Sequence, residues 1–329
     1  MCQMARADLL LKLVKSGITG NTTLFKKVVE SIIAEEKSKQ HHVVAKQLTE
    51  ALHESESTRT KTSVQSRLLD DKLDNFLYRI YPNKTLDDVI LDDSNEKIIQ
   101  DLIQEHLRSD LLRSYNLEPR NRILLAGPPG NGKTTLAEVI AQSLMVPFYV
   151  IRYDGIIGSY LGETATRLKT MFDFIRTQEC VLFFDEFDAI GKERGDIHET
   201  GEIKRVVSSL LLQIDRLPSY VVVVAATNHP ELLDKAVWRR FQIRLELEAP
   251  DKDMIELWLR KFQDRVKYDL QYPISKIASK LVGYNFSEVE EFILDLERKY
   301  ILSLPEVNVQ RVVDECLDEI EKKYSLNNE

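Results

Sequence analysis

The octapeptide GPPGNGKT at residues 127–134 constrains this chain more than any other stretch. Gly127, Gly132, Lys133 and Thr134 occupy every fixed position of the pattern G-x-x-x-x-G-K-[ST]. An apolar run, RILLA (122–126), precedes it, and a helical pattern, TTLAEVIAQSL (134–144), follows it. In that setting backbone N–H groups and a helix N-terminus form a cradle for polyphosphate. Pro129, Gly130, Asn131 and Gly132 supply the loop. Lys133 is expected to bridge the β- and γ-phosphates, the Thr134 hydroxyl to take Mg²⁺, and Thr135 follows on the first helical turn.

Such a loop needs a strand whose carboxyl end is open to ligand, and the surrounding sequence supplies a sheet. The runs RILLA (122–126), FYVIR (148–152), VLFFD (181–185), VVVVAAT (221–227) and IRLEL (243–247) are apolar and β-branched, and helical patterns separate them. Continuous apolar runs fit strands buried on both faces, and their alternation with helices predicts a parallel α/β sheet of five strands. Residues 1–54 read as helices, with an apolar stripe at Leu24, Phe25, Val28, Val29, Ile32 and Ile33. Residues 55–81 open with the polar stretch SESTRTKTSVQS and read as a linker. The α/β domain is expected over 82–249, and a small helical domain over 250–329. In the latter, Ser287 and Glu290 form a capping-box pattern. Nine of the 12 glycines fall between Gly127 and Gly201, so close backbone approach to a ligand is concentrated there.

Two acids end one of the buried runs. Asp185 can hold the Mg²⁺ shell, and Glu186 can polarise an attacking water as a general base. The bland alternative is a pair of surface acids capping the next helix. Asn228 follows VVVVAAT at another strand's carboxyl end, where ligands of open α/β sheets bind. It either orients the water and senses the γ-phosphate or forms the turn before His229–Pro230. Arg239 and Arg240 precede the last strand. A guanidinium at a phosphoryl-transfer transition state is worth about 10³–10⁵ in rate, roughly 4–7 kcal/mol. Spacing alone does not separate that role from a surface salt bridge. Tyr160 lies between Gly158 and Gly162, either at an exposed loop tip or in the core.

Composition removes several classes of function. The net charge is −8, against bulk binding of nucleic acid or anionic lipid. No apolar run reaches the roughly 18 residues of a membrane span, and the N-terminus lacks the apolar core of a secretory signal. The three cysteines, Cys2, Cys180 and Cys316, form no CxxC pair, which fits a reducing, cytoplasmic setting. No H-E-x-x-H occurs, so no zinc-protease motif is built in.

Taken together, GPPGNGKTT, LFFDEFDAIG, AATNHPELLD and WRRF resemble an AAA+ ATPase of the subgroup containing katanin, spastin and the FtsH ATPase domain. The resemblance covers about residues 84–300. It implies a P-loop fold with a helical lid, and a ring, usually a hexamer, holding Mg-ATP at each subunit junction. It implies that Asp88 and Val89, in TLDDVIL, lie beside adenine, and that Asn228 is sensor 1. By the same resemblance Arg239 and Arg240 reach the adjacent subunit's site, while Tyr160 and Leu161 form a pore loop gripping polypeptide. The chain departs from the family at Arg216, where relatives carry glycine, and at Gly283–Ser287, which replaces the lid's G-x-S-G. It is also similar to single-ring bacterial ATPases, some encoded beside subtilisin-like proteases. Two functions follow as expectations. The first is a ring motor that remodels or threads protein. The other is an ATP-controlled assembly switch regulating a partner enzyme such as a protease.

Overall fold

The computed structural model describes residues 28, 29, 31 and 33, then 76–153, 161–190, 200–266, 268–305 and 308–325. The chain divides into two compact units, residues 1–73 and 74–329. The helical reading of residues 1–54 lies outside the described residues, apart from Val28, Val29, Ser31 and Ile33, which are helical.

Six strands make one sheet: β1 (Leu77–Ile80), β2 (Arg122–Ala126), β3 (Phe148–Ile151), β4 (Cys180–Phe184), β5 (Val221–Thr227) and β6 (Ile243–Glu246). Their spatial order is β1-β3-β4-β5-β2-β6. The five apolar runs became β2 to β6, all parallel to one another. The expected count of five is corrected by β1, which lies antiparallel against β3 with Leu77 opposite Ile151 and Ile80 opposite Phe148. It falls inside the stretch read as linker. The reason is physical: β1 is a four-residue edge strand that buries Leu77 and exposes Tyr78 and Arg79, so it carries no continuous apolar run.

The central strands β4 and β5 are buried along their whole length. On one face Leu125, Phe183, Val224 and Leu245 pack with Ile99 and Leu102 of helix Asp93–Leu107 and with Leu136 and Ile140 of helix Lys133–Leu144. On the other, Tyr149 meets Phe174 of helix Leu161–Ile175 edge-on, with ring centroids 5.9 Å apart. A sheet covered on both faces leaves its strand ends as the place where polar chemistry can sit.

Beyond β6 the chain forms four helices, Lys252–Arg265, Ile274–Leu281, Phe286–Leu302 and Val309–Ser325, around a separate core that includes Leu259, Phe292, Leu296 and Leu317. The Asp251 side chain caps the first, accepting from Met254 N at 2.8 Å. The third is capped two residues earlier than expected. Asn285 Oδ1 accepts from Glu288 N (3.0 Å), and Glu288 Oε2 accepts from Asn285 N (2.7 Å). Asn285 has the extended backbone a cap needs, and Ser287, already inside the helix, spends its hydroxyl elsewhere. Among the described residues no helix is long and apolar enough to cross a membrane.

Phe183 is fully buried and packs on Phe148 at 5.7 Å. Phe183→Ala is expected to cost about 3–5 kcal/mol in denaturant unfolding, against less than about 0.5 kcal/mol for Leu107→Ala at an exposed helix end.

Candidate active site

At the carboxyl end of β2 the chain must turn sharply to enter helix Lys133–Leu144. Gly127 makes the first step at φ +140°, where a Cβ would run into the Leu247 carbonyl just past β6. Leu247 N in turn donates to Ala126 O at 2.8 Å, so the end of β6 is a fixed wall behind the loop. Asn131 is buried and links loop, strand and lid. Its Nδ2 donates to Leu247 O (3.2 Å), and its Oδ1 accepts from Phe286 N (3.5 Å).

The lid also contacts the loop directly. Ser287 donates twice to Gly130 O, from its N–H at 2.9 Å and from its hydroxyl at 3.2 Å. Gly130, at φ +80°, lets the Asn285 side chain approach to 2.6 Å of where a Cβ would stand. A cleft opens beside this junction. Asp88, Val89, Gly130, Gly132, Trp258 and Phe286 line it. Asp88 and Val89, which the resemblance sets beside adenine, line the same cleft as the loop. The Thr85 N–H donates to Asp88 Oδ2 at 2.7 Å and leads the influences that hold this carboxyl below its ordinary pKa.

Lys133 lies at the base of the cradle. Its ammonium donates to the carbonyls of Gly127 (2.7 Å) and Pro128 (2.8 Å). Burial draws its pKa below the usual lysine value, and the charges of Asp185 and Asp188 act in the opposite sense. Thr134 is exposed on the first turn. Among the described residues those two carbonyls are the hydrogen-bond partners of the Lys133 ammonium.

The acids follow β4. Asp185 is half-buried and its Oδ1 accepts from Glu186 N at 3.0 Å. Glu186 is exposed and adopts φ +46°, a left-handed backbone that costs a non-glycine residue roughly 1–2 kcal/mol. Strain of that kind clusters at functional sites. Asp188 is buried, and Thr227 at the end of β5 donates to it at 2.8 Å through its hydroxyl. The same hydroxyl accepts from His229 N at 3.0 Å, which fixes the backbone on either side of Asn228. Asn228 Oδ1 is buried without a hydrogen-bond partner. So β4 and β5, neighbours in the sheet, bring Asp185, Glu186 and Asn228 to one edge beside the loop.

Arg239 and Arg240 lie at the other end of the sheet. Gln242 N donates to Arg122 O at the start of β2, whereas the loop begins after its end. At roughly 3.3 Å per residue, the five residues of β2 hold the two apart by about 15 Å. Arg240 Nε donates to Asp215 Oδ2 at 2.9 Å, and Asp215 Oδ1 also accepts from Arg122 at 2.9 Å. Arg239 is exposed. Tyr160 lies outside the described residues, and Leu161 is the first residue of its helix.

Several neighbours of the site were not read from the sequence. Asp188 stands in DEFD, three residues past Asp185, and its spacing was a usable signal. Trp258, Phe286 and Ser287 gave none, because they come from the helical domain and meet the loop only through folding. Tyr153, just past β3, buries a hydroxyl with no partner. Burial, reinforced by Asp185, Asp188 and Glu186, raises its pKa far above the ordinary phenol value, so it retains its proton.

For a divalent cation the residues present fit. Among the described residues no three His, Cys, Asp or Glu side chains converge on one point. What the edge offers is a hydroxyl and a carboxylate, Thr134 and Asp185, the oxygen donors that suit Mg²⁺ held jointly with phosphates.

A glycine-rich loop between a buried strand and a helix, acids at the end of β4 one strand further across the sheet, and a helical lid over the cleft together define a P-loop nucleoside triphosphatase. The comparisons agree. Residues 123–249 match the family described as ATPase family associated with various cellular activities (AAA). The chain is 38% identical over 292 residues to the uncharacterized AAA family ATPase y4kL of Sinorhizobium fredii, covering 87% of each. It is 33% identical over 230 residues to a putative 26S proteasome regulatory subunit homolog of Methanothermobacter marburgensis, covering 69% of this chain and 61% of that protein. Against the ATP-dependent zinc metalloprotease FtsH 2 of Bdellovibrio bacteriovorus it is 32% identical over 219 residues, covering 63% of this chain and 36% of that one. The chain belongs to the AAA family and is an ATPase. Members of this family use ATP with a divalent metal.

Gly130→Ala is expected to strain the loop and displace Asn285, weakening binding of a non-hydrolysable ATP analogue at least tenfold by calorimetry, or about 1.4 kcal/mol.

Proposed function

We propose that this chain is one subunit of a homo-oligomeric ring, six-membered by resemblance, that hydrolyses Mg-ATP at subunit junctions and remodels or threads polypeptide. The observation that carries the proposal is the placement of Arg239 and Arg240. They stand at the amino edge of the sheet, about 15 Å along β2 from the phosphate loop of their own chain. A guanidinium there serves phosphoryl transfer only in a neighbour's site. Arg240 would first have to exchange Asp215 for phosphate, whereas Arg239 is exposed and needs no such exchange.

Within the site, Lys133 and the loop N–H groups hold the phosphates, with Asp88 and Val89 at the base. Thr134 and Asp185 would hold Mg²⁺, which when bound neutralises charge on the β- and γ-phosphates. Glu186 takes the proton of the attacking water, and Asn228 orients that water. Polypeptide as the substrate class is supported by relatives whose names place them in proteolysis, the proteasome subunit homolog and FtsH 2. Tyr160 and Leu161 are proposed to grip it, and residues 1–54 to select it or an adaptor, with a separately encoded protease as a downstream partner.

ATPase turnover per subunit is expected to rise with protein concentration through the assembly range. Turnover that stays constant down to concentrations where sedimentation finds only monomer would sink the ring reading. Glu186→Gln is expected to bind ATP and assemble while hydrolysing at least 100-fold more slowly, and Lys133→Ala to lose ATP binding. Measuring both by calorimetry and phosphate release separates the base from the anchor.

A further inference from the structure

The two arginines named by the resemblance are not equivalent, and a third stands with them. A short helical turn fixes their backbone: Trp238 N donates to Asp234 O (3.2 Å), Arg239 N to Lys235 O (3.2 Å) and Arg240 N to Val237 O (3.0 Å). Phe241 is buried and meets Phe187 edge-on, with centroids 5.8 Å apart. Gln242 Oε1 then accepts from Asn121 N (2.9 Å) and Arg122 N (3.1 Å), which ties the segment to the start of β2.

Arg240 is spent on this junction. Its Nε donates to Asp215 at 2.9 Å, and the same carboxylate holds Arg122 at 2.9 Å. Arg239 is exposed. So is Arg244, the second residue of β6, whose guanidinium lies over the Trp238 indole, 5.8 Å from the ring centroid. Among the described residues neither Arg239 nor Arg244 has a hydrogen-bond or ion-pair partner. Trp238 immediately precedes Arg239 and carries Arg244 on its ring, so the two exposed arginines share one corner of the sheet.

The mode of holding decides what each group can still do. A guanidinium bonded to a carboxylate has used part of its fork of donors, and removing it leaves the partner charge short. One held over an aromatic ring is positioned by a contact that uses none of its N–H groups, so all of them remain for phosphate oxygens.

We infer that the pair entering the neighbouring subunit's site is Arg239 and Arg244, both catalytic residues that contact the terminal phosphate of its nucleotide, while Arg240 stays on Asp215 and clamps the segment to the sheet. The inference rests on the ring reading above and changes which guanidinium groups cross the junction.

The test uses full-length Arg239→Ala, Arg240→Ala and Arg244→Ala, each alone and mixed with an equal amount of Glu186→Gln, which keeps its arginines but hydrolyses poorly. Alone, Arg239→Ala and Arg244→Ala should each lower kcat at least about 100-fold, with the thermal midpoint within about 2 °C of the parent. Mixing either with Glu186→Gln should raise ATPase at least about tenfold above both variants alone, because an intact loop then meets an intact arginine pair across the junction. Arg240→Ala should instead lower the thermal midpoint by about 2–4 °C, as Asp215 and Arg122 lose their third member. Arg244→Ala turnover within twofold of the parent overturns the inference. So does a loss in Arg244→Ala that mixing leaves in place while it restores Arg239→Ala. An Arg240→Ala variant that keeps the parent's midpoint and is restored by mixing returns the role to the tandem pair, which also overturns it. Mixing that restores neither Arg239→Ala nor Arg244→Ala refutes the ring reading itself, and the inference falls with it.

Discussion

The close approach of the Leu247 carbonyl to Gly127 sets the geometry from which the rest of the nucleotide edge follows. That carbonyl lies where a side chain at 127 would have to go, so the loop turns against the end of β6. The same oxygen accepts from Asn131, whose other side-chain atom receives the lid's Phe286 N–H. One backbone group therefore ties together the sheet, the phosphate loop and the helical domain. The lid then adds its own hold through Ser287 on Gly130.

The polar groups at the two ends of the sheet differ in how far they are satisfied. At the amino end Asp215 joins Arg122 to Arg240, and each partner is completed within the chain. At the carboxyl end the groups are left short. Among the described residues Lys133 donates to two carbonyls, Asn228 and Tyr153 each bury an unpartnered oxygen, and Glu186 sits in a left-handed backbone. Unsatisfied groups and strain are tolerated where a ligand completes them. A chain of buried rings runs between the ends: Phe184 to Phe187 at 5.6 Å, and Phe187 to Phe241 at 5.8 Å. Phe184 precedes Asp185, and Phe241 follows Arg240, so packing joins the acids to the arginine segment.

What the sequence made legible was whatever is encoded over short stretches. Continuous apolar runs identified β2 to β6, because a strand buried on both faces must be apolar throughout. The loop and the acids were legible because phosphate binding demands particular residues at fixed spacing. The edge strand β1 was not, since four residues burying one leucine leave no pattern. The cap at Asn285 was misplaced to Ser287 because two overlapping segments, NFSE and SEVE, fit one local rule.

The sequence by itself determined the class of fold and marked the glycine-rich loop and the acids, since both depend on neighbours within a dozen positions. Only the tertiary structure decided which distant groups meet. It brought Ser287 to Gly130 and Thr227 to Asp188, and it set the arginines at the edge away from their own loop. Those relations arise from strand order, register and the docking of one hydrophobic core beside another, which no local pattern of residues records.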